Sequence, residues 1–413
     1  VQVTFIAGTY KPLHCGVAHY TDRLRIALTQ AGVQSVVLTT HDAAATTNNP
    51  SIIGITSTWK VPDLLPLVRY VVRLQGRSPH LSTDILHIQH AAGTYGFERA
   101  VFLLPLLLRL SGWHKPIVTT VHEYGWWEWQ PNFVPSRFLE WLKMEGQQRG
   151  WWDREDGFLL TCSDAIITTN SDAERVIHER LPGLGDRLYR IPIAANIEVA
   201  PIQQEAAQQA LRQTCNWPTD TDVIAFFGFL HPVKGLETLL SAFKQLTATK
   251  PRARLLVIGG IESLALRGEQ ATQYYHKLHT LISELGLGHR VHLTGYLPAD
   301  DASRYLAGTD VGVLPFNPGV TLKSGSLLAM LAHGLPVVAT HADPPDPDLT
   351  AQPIVRLVAP RDAARLAAAL IDLLDDAKLR LQLGAAGRAF VQQLTWNAIA
   401  QAHLQVYQRV NQG

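Results

Sequence analysis

Short apolar runs rich in β-branched residues alternate along the whole chain with longer stretches in which apolar positions recur every three or four residues. In the first half, Val3–Ala7, Ser35–Thr39, Ile85–Gln89, Ile117–Val121 and Ala165–Thr169 read as strands. Between them, Val17–Ala31, Pro62–Leu74, Glu98–Leu110 and Arg137–Gln148 carry the helical period, and Asp172–Leu181 follows the last strand with Ser171 as expected N-cap. A second series begins near residue 222, with strands expected at Val223–Phe227, Leu255–Ile258, Val291–Leu293, Val311–Leu314, Val337–Ala339 and Ile354–Val358. Helices are expected at Leu236–Thr247, Gln270–Leu285, Asp300–Ala307, Ser326–Ala332, Asp362–Leu374 and Lys378–Gln393. Strand–helix–strand repetition predicts α/β units with parallel sheets and helices on both faces. Right-handed crossovers then gather the loops after the strands on one edge, where ligands of such sheets sit.

The segment Ala200–Thr221 is polar, Gln-rich and contains Pro201 and Pro218, so the domain junction is expected there. Two doubly wound domains, 1–200 and 201–394, facing each other across a cleft, is the simplest arrangement. A length of 413 residues agrees, at a prior of about 150 residues per domain.

Composition narrows the partners. Apolar residues make up 46% and charged residues 17%, which excludes wholesale disorder. Lys+Arg 36 against Asp+Glu 35 leaves a net charge of +1, so no global basic field draws the chain onto nucleic acid. Cys15, Cys162 and Cys215 lack CxxC spacing, which suits a reducing, cytoplasmic setting. The opening Val-Gln-Val-Thr-Phe-Ile-Ala-Gly reads as a strand, not a signal core. Ala100–Leu110, with Pro105 and Arg109, is too short to cross a bilayer.

Three loops carry candidate chemistry. The first strand runs into Gly8-Thr9-Tyr10-Lys11-Pro12-Leu13-His14-Cys15-Gly16, after which a helix begins, and a glycine there lets backbone amides approach an anion. Neither GxGxxG nor GxxxxGK[ST] occurs, which argues against a dinucleotide oxidoreductase or a P-loop NTPase. Gly228-Phe229-Leu230-His231-Pro232-Val233-Lys234-Gly235 sets a lysine just before a helix N-terminus, where a cation is electrostatically odd unless an anion joins it. Thr321-Leu322-Lys323-Ser324-Gly325-Ser326 feeds another helix with hydroxyls, a lysine and a glycine, a good phosphate cradle. Two lysines on two loops suit a diphosphate.

Gly228–Leu240 and Ser326–Thr340 resemble the two signature segments of family 4 glycosyltransferases with the GT-B fold. Val291–Leu297 is similar to that family's segment beside the nucleotide base, and Ala307–Pro315 to the strand before its phosphate loop. The resemblance implies two Rossmann-like domains, with a closing helix at 395–413 crossing back onto the N-terminal one. It implies retaining transfer from a nucleotide sugar, a co-substrate, to a glycan, lipid or small-molecule acceptor, with no metal and no bound cofactor. Gly16, Lys234, Thr321, Lys323, Ser324, Gly325 and Ser326 would hold the donor diphosphate. Gly228, Gly259, Gly295, Tyr296 and Leu297 would surround the base and ribose. His122, which follows Thr119-Thr120-Val121, would orient the donor sugar or acceptor, making it and Lys234 the catalytic pair.

The chain departs from the family at two places. Phe229 stands where the family usually has the arginine of Gly-Arg-Leu. Val320 and Leu328 occupy the aligned positions of two glutamates, and no Asp or Glu occurs from Phe316 to Ala342. Lys323 is expected to replace part of the missing arginine's charge, facing Lys234. The losses also admit a non-catalytic nucleotide-sugar-binding protein of the same fold.

His14, His19, His87, His90 and His122 fall near strand ends, where binding a sugar or anion is the better reading; a zinc-dependent hydrolase built with Cys15 is the third alternative, though the spacing matches no metal signature. Six of the ten tryptophans lie between Trp126 and Trp152. An aromatic mini-core, sugar stacking or insertion at a bilayer interface would each explain them. The acceptor region is accordingly expected at Tyr95, Glu123, Trp126 and Trp127, with peripheral membrane contact left open.

Overall fold

The structure, a computed structural model, describes residues 1–10, 15–76, 82–125, 128, 130, 134–263 and 266–412. His14, Trp126, Trp127, Trp129 and Phe133 lie outside the described residues. The chain divides into two compact units, Val1–Pro192 with Trp396–Gly413, and Ile193–Thr395.

The first unit is built on a seven-stranded parallel sheet: β1 (Gln2–Ala7), β2 (Gln34–Thr40), β3 (Ile52–Thr56), β4 (Ile85–His90), β5 (Ile117–Val121), β6 (Ala165–Thr168) and β7 (Leu188–Arg190). Their order is β3-β2-β1-β4-β5-β6-β7, so the chain reverses direction across the sheet between β1 and β4. The buried strands read as apolar runs because both faces are covered. On one face, Ile6, Leu86 and Ile88 pack with Leu64, Leu67 and Val71 of the helix Val61–Arg73, and with Phe102, Leu108 and Trp113. Leu64, Leu67, Val68 and Val71 form the buried stripe of that helix at the 3–4 spacing. The helix after β6 starts at Ser171, but its cap is Asn170, whose side chain accepts from the Ala173 amide at 2.9 Å; the expected Ser171 cap is corrected by one position.

The second unit holds a six-stranded parallel sheet: β8 (Asp222–Phe227), β9 (Ala253–Ile258), β10 (Val291–Leu293), β11 (Val311–Leu314), β12 (Val337–Thr340) and β13 (Arg356–Val358), in the order β10-β9-β8-β11-β12-β13. The reversal falls between β8 and β11, which places the loops following both strands side by side, the usual ligand position in such sheets. Its core includes Phe226, Leu239, Phe243, Leu255, Leu256, Val313, Leu327, Leu328 and Met330.

The Gln-rich segment after residue 200 contains a helix, Gln204–Thr214, that faces Ala207, Leu211 and Arg212 inward. Asp310 ties that helix to the sheet: its Oδ2 accepts from Arg212 Nη2 at 2.9 Å and from the Val223 amide at 2.7 Å, and its Oδ1 accepts from Gln208 Nε2 at 2.8 Å.

Candidate functional site

In the second unit the loops named from the sequence come together. β8 ends at Phe227, and Gly228 follows with its Cα so close to the next loops that a Cβ would lie 2.8 Å from Ser326 Oγ. Gly259, directly after β9, has φ +148, and a Cβ there would overlap the Gly228 carbonyl oxygen. Gly259 also bridges to Gly295 after β10. Gly228, Gly259, Gly295 and Ser326 therefore form one continuous floor at the strand ends. Tyr296, half-exposed, lies with its ring parallel to Phe229, centroids 6.5 Å apart and planes 12° off. Leu297 packs partly buried against the apolar core.

Lys234 closes the short 3-10 turn Pro232–Lys234, and Gly235, at φ +68, caps the helix Leu236–Leu246. A larger residue at 235 would run into the Pro315 carbonyl, so glycine is what lets the lysine loop sit against the loop after β11. The two loops are laced by Asn317, whose amide donates to the Val233 carbonyl at 2.9 Å and whose Nδ2 donates to the Pro232 carbonyl at 2.9 Å. Lys234 Nζ stands 3.7 Å from the centroid of the Phe316 ring, a cation–π contact that orients the ammonium without neutralising it. Burial, and then the Lys234 ammonium, hold the His231 imidazole below its ordinary pKa.

Along Thr321–Ser326 the groups differ in availability. Thr321 Oγ1 is buried with no hydrogen-bond partner among the described residues. An orphaned buried hydroxyl costs about 1–3 kcal/mol, so it calls for a ligand or water. Ser324 caps the helix Gly325–Ala332, its Oγ accepting from the Leu327 amide at 3.3 Å. Lys323 is exposed, and a Cβ on Gly325 would stand 3.2 Å from Asn196 Nδ2. Val320 and Leu328, at the aligned positions of the family's glutamates, are both buried in the apolar core.

In the first unit, Gly16 opens the helix Gly16–Gln30, and a Cβ there would meet nothing within 4 Å. Among the described residues, packing does not demand glycine at this position. His122 follows β5, donating its amide to the His90 carbonyl at 2.9 Å. Alternation along the strands puts His87 and Gln89 of β4 on the same sheet face as Thr120 and His122. His122 Nε2 lies 2.9 Å from Gln89 Oε1, and its ring stands edge-on to Tyr20 at 4.7 Å. Burial, then His90 and His403, push the His122 pKa down to about 3, so this imidazole is neutral at physiological pH.

Two expectations are corrected. Tyr95, expected beside the acceptor, is fully buried: its hydroxyl donates to the carbonyls of Gln89 at 3.0 Å and Ile6 at 3.4 Å, bracing β4 against β1. His87 and His90, grouped with ligand-binding histidines, are buried inside the unit. His87 bonds Tyr407 and Thr120, and His90 pairs with Asp156 at 3.3 Å on the opposite sheet face. Among the described residues no three His, Cys, Asp or Glu side chains stand together as metal ligands, and Cys15, Cys162 and Cys215 are free thiols.

Asp153, Glu155 and Asp156 were not singled out from the sequence, yet they hold the β5 exit. Asp153 Oδ1 accepts from the Tyr124 hydroxyl at 2.6 Å, and Glu155 accepts the Gly125 amide at 2.8 and 2.9 Å while pairing with Arg180 at 2.8 Å. Three acids within four residues was the available signal. Glu123 itself is exposed. Further on, the helix Ser136–Gln148 turns Phe138, Trp141 and Met144 half-exposed to solvent, and Trp151 follows, stacked under the Arg149 guanidinium at 4.7 Å. These four do not form a closed aromatic core. Trp152 does pack, lying flat on Gly146 where no side chain could stand.

Residues 15–199 match the family described as Glycosyltransferase Family 4, and residues 221–376 match Glycosyl transferases group 1. Together they cover most of the chain, which belongs to the family 4 glycosyltransferases, with two Rossmann-like units of the GT-B fold. It is similar to the GDP-mannose-dependent monoacylated alpha-(1-6)-phosphatidylinositol monomannoside mannosyltransferase of Corynebacterium glutamicum, at 30% identity over 45% of this chain and 46% of that one. The chain spans about half the length of the curated relatives it matches. Among solved structures, sucrose-phosphate synthase of Thermosynechococcus elongatus superposes with a TM-score of 0.73 at 21% identity, covering 99% of this chain and 98% of that one. Anabaena HepE in complex with UDP and glucose does so with 0.68 at 18% identity, covering 99% of each chain. No helix among the described residues is long and apolar enough to cross a membrane.

Proposed function

We propose that this chain is a metal-independent, retaining glycosyltransferase that moves a hexosyl group from a nucleotide sugar to a hydroxyl of a glycan or lipid acceptor. The observation that carries the reading is Lys234 poised over Phe316, on a loop whose Thr321 hydroxyl is buried with no partner among the described residues. A cation, an orphaned hydroxyl and two helix N-termini on adjoining loops suit a diphosphate. The parallel rings of Phe229 and Tyr296 suit a planar base.

In the proposed reaction the bond from the anomeric carbon to the diphosphate oxygen breaks, its electron pair staying on that oxygen. Lys234 stabilises the charge that develops there. The acceptor hydroxyl forms the new bond, and its proton leaves with the nucleoside diphosphate. His122, neutral and buried except for one edge, orients a sugar hydroxyl, and Lys323 supplies part of the charge of the arginine that Phe229 replaces. The mannosyltransferase relative acts on a phosphatidylinositol mannoside by its name. The half-exposed Phe138, Trp141 and Met144 support a lipid-borne acceptor and peripheral membrane contact.

Incubating the protein with UDP-glucose or GDP-mannose and candidate acceptors, with and without EDTA, tests this by mass and anomeric configuration of the product. Transfer with retained configuration, undiminished by EDTA and lost in Lys234→Ala, is expected. Inverted product or dependence on added metal contradicts the mechanism. The apolar Val320 and Leu328 favour a second reading, a binding protein without turnover, which predicts donor binding and no product under any condition.

A further inference from the structure

The first unit carries a fully buried polar chain behind His122 that the transfer reaction as stated does not use. Gln89 sits at its centre, on β4 opposite Thr120 of β5, completely buried. A carboxamide has one acceptor oxygen and two N–H donors, and each end of this one meets an imidazole: Oε1 is 2.9 Å from His122 Nε2, and Nε2 is 3.1 Å from His87 Nε2. With the carboxamide in this orientation its oxygen accepts, so His122 Nε2 carries the proton. The amide nitrogen can only donate, so His87 Nε2 is bare, taking Thr120 Oγ1 at 2.7 Å as a further donor. His87 Nδ1 then carries a proton and gives it to the Tyr407 hydroxyl at 2.6 Å, on the helix Trp396–Gln412. The donors run one way, from His122 through Gln89 and His87 to Tyr407.

We infer that Gln89 is a positioning residue that locks His122 as the Nε2–H tautomer, so that the remaining nitrogen, Nδ1, offers a lone pair and recognises a hydrogen-bond-donating hydroxyl of the bound sugar or acceptor. No other side chain among the described residues is hydrogen-bonded to Nδ1, and His122 keeps 9% of its surface exposed where its neighbours on this face keep none. An imidazole fixed in this way is an acceptor and not an acid. It cannot protonate a leaving group, and it rejects a sugar whose group at that point is itself only an acceptor.

The surroundings maintain the neutral form. Tyr20 of the helix Gly16–Gln30 faces the His122 ring edge-on; His403 and Tyr407 of the C-terminal helix pack against His87, the next imidazole of the chain; and His90, paired with Asp156 on the other sheet face, and His403 act on His122 through their charge. Burial dominates and holds His122, His87 and His403 all below the ordinary imidazole pKa; neighbouring histidines add to it for His122 and His87, while the Ile399 carbonyl partly offsets it for His403.

The inference rests on His122 facing substrate, and its test separates the two. Ring-nitrogen NMR of protein labelled with nitrogen-15 histidine, with the His122 signals assigned by their loss in His122→Gln, reads the tautomer without any substrate. Protonated Nε2 and bare Nδ1 at pH 7 are expected; protonated Nδ1, or an imidazolium, overturns the inference. In Gln89→Met both tautomers should be populated, and an unchanged single tautomer overturns the role of Gln89. In the transfer assay, Gln89→Glu places a carboxylate on His122 Nε2 and raises its pKa. Wild-type kcat/KM should then show no His122 inflection between about pH 5 and 8, while Gln89→Glu loses about tenfold per pH unit below a new one. An unaltered profile in an active Gln89→Glu protein also overturns it. If the tautomer is as expected but His122→Gln transfers normally, the locking stands and the substrate role of His122 fails.

Discussion

Lys234 and Phe316, from loops that follow non-consecutive strands, form a single unit: the ammonium sits 3.7 Å from the ring centroid. The ring holds the lysine's direction, and such a contact is worth about 0.5–1 kcal/mol at a partly exposed site. Phe316→Leu should therefore weaken binding of a nucleoside diphosphate by roughly 2–5-fold, with little change in melting temperature, measured by calorimetric titration. A loss as large as that of Lys234→Ala would mean that the ring holds the whole loop and not the lysine alone.

Gly259 makes a separate prediction about the floor of the same site. Its φ of +148 and the carbonyl of Gly228 in the path of any Cβ leave no room for alanine. The backbone conformation alone costs a non-glycine residue about 1–3 kcal/mol, and the β8 and β9 ends must also part. Gly259→Ala should lower the melting temperature by at least about 4 °C and weaken nucleotide binding. Wild-type stability together with wild-type binding would contradict the packed floor.

The acids behind the β5 exit predict a pH dependence of stability. Burial first, and then Asp156, push the Asp153 pKa up to about 6 from an ordinary value near 4. The folded protein then binds this proton more tightly than the unfolded chain. The contribution is present below the unfolded pKa and is lost as pH rises from about 4 through 6. Asp153→Asn keeps an acceptor for the Tyr124 hydroxyl and removes the titration. Melting curves at pH 4, 5, 6 and 7 should show a smaller decline with rising pH in the variant than in the wild type; identical declines would contradict the assignment.

The helix face bearing Phe138, Trp141 and Met144 predicts flotation with liposomes containing anionic lipid. Trp141→Ser with Phe138→Ser should reduce the bound fraction several-fold without affecting transfer to a soluble acceptor. No flotation of the wild type would remove the membrane from the account.

Much of this architecture was legible in the residues, for a physical reason. Strands buried on both faces, such as Leu255–Ile258 and, Thr4 apart, Val3–Ala7, read as near-continuous apolar runs, and they stand out in any reading. β3 did not, because Gly54 interrupts it; that glycine packs against His41, where a Cβ would stand 2.8 Å from the His41 Cα. β7 has only three residues, partly exposed. The helix Gln204–Thr214 was hidden by its glutamines, since it is anchored by Arg212 and Gln208 on Asp310 as well as by an apolar stripe. The loop proposed to hold phosphate was visible through Lys234 and the Thr/Ser/Gly run. The partners of His122 were not, although polar His87 and Gln89 alternating with Leu86 and Ile88 mark a strand whose second face is buried but not apolar. Spacing shows that such a face exists; which imidazole meets which amide depends on pairing across strands.

The central claim is that Lys234 and its neighbouring loop bind the diphosphate of a nucleotide sugar. Calorimetric titration of UDP and of GDP into the wild type and into Lys234→Ala tests it most directly. The account predicts saturable binding of at least one nucleotide by the wild type, weakened by ten-fold or more, about 1.4 kcal/mol, in a variant that remains folded. Binding of neither nucleotide, or equal binding by both proteins, would contradict it.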